Sequence, residues 1–77
     1  MHEVKDGNLK ISQLRALVAV AEHGNFTSAA LDLGLSQSTV SHAIATLEDE
    51  LGVVLLFRGR HGAILTPIGE QVIQEAR

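Results

Sequence analysis

Apolar positions along this chain change their period after Gly52, and change it back at Thr66. Ile11, Leu14, Leu17, Val18 and Ala21 recur at helical spacing, which predicts a first helix ending near His23-Gly24. Residues 1–10 before it read as a polar lead-in, with Gly7-Asn8 as a turn signal. A short second helix follows in "NFTSAALDLG". Thr27 is a good N-cap there, Phe26 and Leu31 have the spacing of a hydrophobic staple, and Gly34 stops the helix. Ser36 then caps a third helix, about 36–50, whose Val40, Ile44, Leu47 and Leu51 form an apolar stripe on one face. Two helices joined by a short glycine-containing turn are the signature of a helix-turn-helix.

Beyond Gly52 the helical period is lost. Val53 to Phe57 and Ala63 to Leu65 are apolar and β-prone, with Arg58-Gly59-Arg60-His61-Gly62 between them. A short hairpin over about 53–65 with a basic tip is predicted. Thr66 then caps a last helix that Pro67 opens, and Ile68, Val72 and Ala76 repeat along it beside Ile73. That stripe either packs on the domain's own core or forms half of a helix pair.

The 77 residues suffice for one small domain, and 45% hydrophobic against 19% charged residues argues that it folds. There is no Cys, which excludes disulfides, thiolate metal sites and cysteine nucleophiles. The opening MHEVKDGNLK lacks the apolar core of a signal peptide, and no apolar run approaches membrane-spanning length. A soluble, cytoplasmic domain is expected. Net charge is −3, six Lys and Arg against nine Asp and Glu, and as a sum this counts against a nucleic-acid partner. The distribution alters that picture. From His23 to Leu47 the only formal charge is Asp32, and from Leu51 to Thr66 the only ones are Arg58 and Arg60, joined by the titratable His61.

At about 100° per residue, the stripe on the third helix turns Ser38, His42, Ala45 and Asp49 away from the core. Thr39 and Thr46 lie on one shoulder and Ser41 on the other. The N-terminal half of this face is small, polar and uncharged. Such a face permits close approach to the major groove, where Ser, Thr and Gln serve base edges, and a helix start offers N–H groups to a phosphate. The acidic run Glu48-Asp49-Glu50 lies further along, where the helix would be leaving the groove. The plainer alternative for the Ser/Thr-rich start is capping and solvation alone. For Arg58 and Arg60 it is two solvated surface cations. The functional reading lays the hairpin along the backbone or pushes a cation into a narrow minor groove.

Other chemistry finds little support. The histidines at positions 2, 23, 42 and 61 lack metal-ligand spacing, and no nucleophile turn or phosphate-binding glycine loop occurs. Neither an enzyme nor a cofactor or metal site is expected. Two rivals to DNA reading stay open, a protein-interaction or dimerisation module on the same fold and an RNA-binding domain.

Taken together, Phe26-Thr27 with Ala29-Ala30, Leu35-Ser36-Gln37, Val40-Ser41, Leu47-Glu48, Leu51-Gly52, Arg58, and Leu65-Thr66 with Gly69 carry a specific resemblance. From Ile11 onward the chain resembles the DNA-binding domain of LysR-type transcriptional regulators. The resemblance implies a mainly α, winged helix-turn-helix fold with a three-helix core, a short β-hairpin wing and a C-terminal linker helix. It implies a lead-in over 1–10, a DNA-binding domain over 11–66, and the start of a dimerising linker helix over 67–77. A homodimer or homotetramer on double-stranded DNA is implied, with a small-molecule effector sensed by a further C-terminal domain. Residues at the family's DNA-contacting positions are Thr27, Gln37, Ser38, Thr39, Ser41, His42 and Arg58, with Arg60 added from the basic tip. His42 stands where the family commonly has Arg, Ser38 where Pro is frequent, and Leu56-Phe57 where a Phe and then a polar residue are usual.

Overall fold

The elements run α1 (His2–His23), α2 (Phe26–Leu33), α3 (Gln37–Leu51), β1 (Leu56–Gly59), β2 (Gly62–Leu65) and α4 (Pro67–Ala76). They are seen in a computed structural model that describes the backbone of residues 2–60 and 62–76, and the side chains of residues 11–60 and 62–75. Helices α1, α2 and α3 pack on one another, while β1 and β2 pair as one antiparallel hairpin. The apolar stripes meet in a single core. Leu17 and Val20 of α1, Val40 and Ile44 of α3, and Leu55 before β1 are fully buried. Each such side chain contributes roughly 1.5–3 kcal/mol on leaving water.

Helix α1 is longer than its apolar stripe. It begins at His2, so Gly7-Asn8 forms no turn. A helix nucleated by the packed segment from Ile11 propagates backward without a second nucleation step, and one interior glycine costs only about 1 kcal/mol. Gly24 ends it at φ +78, as expected of a left-handed stop.

The cap of α2 is Asn25, not Thr27. Asn25 Oδ1 accepts the Ser28 N–H at 2.7 Å, and the helix already includes Phe26. Asn is at least as good a cap as Thr, and it stands at the end of the αL turn made by Gly24. With the start moved forward, Leu31 is 78% exposed and no staple closes over it. At the other end Gly34 is left-handed (φ +69), and the Leu35 N–H returns to Ala30 O at 2.9 Å. This tight turn delivers the chain to Ser36. Ser36 caps α3 as expected, its Oγ accepting the Thr39 N–H at 3.1 Å. Of the stripe on α3, Val40, Ile44 and Leu47 are buried, whereas Leu51 is 49% exposed because the core ends one turn earlier.

The hairpin aligns Leu56 with Leu65, Phe57 with Ile64, Arg58 with Ala63 and Gly59 with Gly62. Its tip is therefore shorter than expected, because Arg58 and Gly59 belong to β1 and Gly62 to β2. The tip residue His61 lies outside the described residues. Two anchors set the hairpin against the helices. The Ala63 N–H donates to Gly24 O at 2.8 Å, and Gly62 (φ +123) sits where any Cβ would strike that same carbonyl. On the other side, Glu48 Oε2 accepts the N–H groups of Leu55 (2.8 Å) and Leu56 (3.3 Å). Glu48 thus belongs to the fold rather than to a solvated acidic tail.

Thr66 caps α4 as expected. Its hydroxyl donates to Val54 O at 2.7 Å and accepts the Gly69 N–H at 3.0 Å. Of the stripe on α4, Ile73 is buried in the core and Val72 packs against it, while Ile68 is 41% exposed. Packing on this domain's own core therefore takes up the inner part of that stripe. The side chain of Ala76 lies outside the described residues.

Candidate nucleic-acid interface

The start of α3 and the inner face of the hairpin form the two walls of one shallow recess of about 320 Å³. Phe26, Gln37, Ser38, Ser41, Arg58, Gly59 and Gly62 line it, and among the described residues no Asp or Glu does. Helix α3 supplies the polar wall. Ser36 Oγ lies 2.7 Å from Thr39 Oγ1 and 3.2 Å from Ser38 Oγ, so the cap and its first-turn hydroxyls form one hydrogen-bonded group. Gln37, Ser38, Thr39 and His42 are all exposed, and Ser41 is half-buried. These side chains combine donors and acceptors on a surface with no formal charge.

The hairpin supplies the cation. Arg58 leaves β1 opposite the buried Ala63, on the face turned toward the helices, since paired residues share a face. Its Nη1 donates to Ser41 Oγ at 3.1 Å, and its Cζ sits 4.8 Å from the Phe26 ring centroid. The guanidinium is thus held between α2, α3 and the wing. Phe57 and Ile64, one position out of phase, point to the opposite face and are 61% and 73% exposed. The replacement of a polar residue by Phe57 therefore leaves an exposed aromatic ring, while Leu56 takes the buried position.

Of the residues expected to form the site, the fold brings together Gln37, Ser38, Ser41 and Arg58. Thr39 and His42 occupy the exposed surface of the same helix without lining the recess. Thr27 is exposed on the first turn of α2 beside Phe26, and Arg60 lines a neighbouring hollow with Phe57 and Ile64, which shares Arg58, Gly59 and Gly62 with the recess. The sequence pattern places Phe26 in a staple and Glu48 in an acidic run, and marks neither as a partner of the hairpin. A signal for Glu48 was present, since it lies one helical turn beyond Ile44 at the edge of the buried stripe. No such local signal marks the meeting of Phe26 and Arg58.

Among the described residues, no helix is long and apolar enough to cross a membrane, and no group of three His, Cys, Asp or Glu could hold a metal ion.

Comparison with known proteins gives a consistent result. Residues 11–70 match the family described as bacterial regulatory helix-turn-helix protein, lysR family. Among curated relatives, the probable HTH-type transcriptional regulator LrrA of Synechococcus elongatus is 64% identical over 69 residues, covering 90% of this chain and 24% of the relative. The regulator ClcR of Pseudomonas putida is 42% identical over 69 residues, again covering 90% of this chain and 24% of the relative. The chain therefore spans about a quarter of the length of these relatives. Among solved structures, CbnR_DBD in complex with DNA superposes with a TM-score of 0.84 at 42% identity, covering 87% of this chain and 77% of that one. BenM_DBD bound to benA site 1 DNA gives a TM-score of 0.81 at 42% identity, covering 86% and 77%.

Proposed function

The chain belongs to the lysR family of bacterial regulatory helix-turn-helix proteins, and from that premise we propose that it binds double-stranded DNA sequence-specifically as part of a transcriptional regulator. Helix α3 enters the major groove by its N-terminal half, and the hairpin is the wing that follows the backbone or the adjacent minor groove. Gln37, Ser38 and Thr39 face base edges, and His42 stands at the rim of the groove within reach of the backbone. Thr27, Arg58 and Arg60 address the backbone, with Ser41 acting through the Arg58 guanidinium it holds. The observation that carries this reading is the recess itself, where an uncharged, hydroxyl-rich helix start stands beside a fixed arginine and, among the described residues, no carboxylate lines the space between them. Net acidity does not oppose it, because Glu48 is engaged by the chain and Asp49 and Glu50 lie at the far end of α3. The similar CbnR and BenM domains are solved in complex with DNA, which supports DNA as the partner.

In the whole protein, α4 begins the linker through which copies associate as a homodimer or homotetramer, and the exposed Ile68 supports this role. A small-molecule effector is sensed outside these residues, in a cytoplasmic regulator.

The test is selection of bound sites from a pool of random duplexes. A recovered consensus with symmetric half-sites about one helical turn or a multiple apart is expected. A pool without sequence preference would leave only charge-driven binding. No retention of duplex at low salt would overturn the proposal and favour a protein-interaction module.

A further inference from the structure

Arg58 is fixed before any partner arrives. Its side chain starts from the helix-facing side of β1, opposite Ala63, and its guanidinium reaches elements from two other parts of the chain. The Ser41 hydroxyl on α3 takes one N–H at 3.1 Å, and the Phe26 ring on α2 lies 4.8 Å beneath Cζ. A planar, weakly hydrated guanidinium is well suited to an aromatic face, and the ring quadrupole attracts it. Arginine carries five N–H donors, of which Ser41 occupies one. The others remain available along the recess. Gly59 and Gly62 also line the recess.

We infer that Phe26 is a positioning residue for DNA binding, its ring and the Ser41 hydroxyl holding the Arg58 guanidinium pre-set to receive a phosphate between α3 and the wing. This rests on the DNA-binding reading above. A long, rotamer-rich side chain normally loses its freedom at the moment of binding, whereas here that loss is taken during folding. Phe26 touches no phosphate itself. It also packs against the core, so its role in holding Arg58 must be separated from a purely structural one.

A mutant cycle on the full 77-residue chain makes the separation, with random-sequence duplex DNA as the probe and affinity measured across a salt series. Phe26→Leu keeps apolar bulk and removes the ring face. It should weaken binding by roughly two- to tenfold, the range set by ordering one such side chain. Phe26→Tyr, which keeps the ring face, should restore wild-type affinity. In an Arg58→Ala background, Phe26→Leu should cost nothing further. The salt slope should fall by about 1 with Arg58→Ala and hold its wild-type value with Phe26→Leu, where the cation is still present. Equal weakening by Phe26→Leu in both backgrounds, or no rescue by Tyr, would make the ring merely structural and overturn the inference. If the wild type itself binds no duplex, the parent reading fails together with the inference. A loss of coupling with normal wild-type binding removes the inference alone.

Should Phe26→Leu fail to fold, Ser41→Ala and the spectrum of the wild type still decide. Ser41→Ala should lower affinity only when Arg58 is present. The Arg58 Nε–H resonance should be displaced by the ring current in the wild type and in Phe26→Tyr. An undisplaced resonance in the wild type would overturn the inference.

Discussion

The two ends of α3 carry opposite chemistry and put it to opposite use. At the N-terminal end, Ser36 caps the helix, and Gln37, Ser38, Thr39 and His42 project into solvent without a formal charge. At the C-terminal end stand three acids, and the first of them turns back into the fold. Glu48 takes two backbone N–H groups from the segment entering β1, while Asp49 and Glu50 remain exposed. One helix thus separates two tasks. Its polar start is left open to a partner, and its acidic end holds the wing at a fixed place beside that start. The net charge of the chain conceals this division, because an acid that binds the chain's own backbone is counted the same as one facing solvent.

The strongest way to break this comparison is to remove the inward acid. Glu48→Ala strands two part-buried N–H groups that a carboxylate had satisfied, at about 1–3 kcal/mol for an unsatisfied group and more where the lost bond is charge-assisted. A loss of about 2–3 kcal/mol in urea unfolding is expected. Asp49→Ala and Glu50→Ala should each stay within about 0.5 kcal/mol of wild type. Three equal losses would mean that the acids act as one surface run and that the division drawn here is wrong.

The next effect is at the other end. Ser36→Ala removes the oxygen that receives the Thr39 N–H and ties together the Ser38 and Thr39 hydroxyls. It should cost about 1 kcal/mol of stability, the usual value of an N-cap. Ser36→Asp, which keeps a capping oxygen, should retain most of that stability. A Ser36→Ala protein as stable as wild type would show that α3 is held by its buried stripe alone.

These two ends also differ in how much of them could be read from residues alone. Ser36 was legible because a cap is a local device, and the stripe of Val40, Ile44 and Leu47 behind it set the helix phase. The same rule misplaced the cap of α2, since Asn25 and Thr27 both suit the position and Phe26 between them mimics a staple residue. The hairpin was legible from its β-prone runs, but its register was not. That register is fixed by Gly62 against the Gly24 carbonyl and by Ala63 bonded to it, contacts made across the fold. For the site, the exposed phase of α3 followed from its period. The joining of Arg58 to Phe26 and Ser41 did not, because it depends on where three separate elements come to rest. Periodicity shows which side of an element faces out, and leaves open which outward residues meet.

His42 sharpens the polar end. An arginine there would add a permanent cation to a face that now has none. His42→Arg should strengthen binding to random-sequence duplex several-fold at low salt and steepen the salt dependence by up to about 0.9, the value of one further phosphate contact. An unchanged slope would place residue 42 away from the backbone and leave it facing bases or solvent.

The smallest expected effect tests the outer acids directly. If the far end of α3 has left the groove, Asp49 and Glu50 act on DNA only through solvent, where a Debye length of about 10 Å at 0.1 M salt damps their repulsion. Asp49→Asn and Glu50→Gln should then raise affinity for random-sequence duplex by less than about threefold at low salt, with the gain fading as salt increases, as expected for a screened surface charge. Stability should hardly change, because both side chains are exposed. A gain of tenfold or more that persisted at higher salt would require a carboxylate close to a phosphate. It would put the acidic end of α3 in contact with DNA, and the orientation in which Gln37, Ser38 and Thr39 lead the helix into the groove would have to be abandoned.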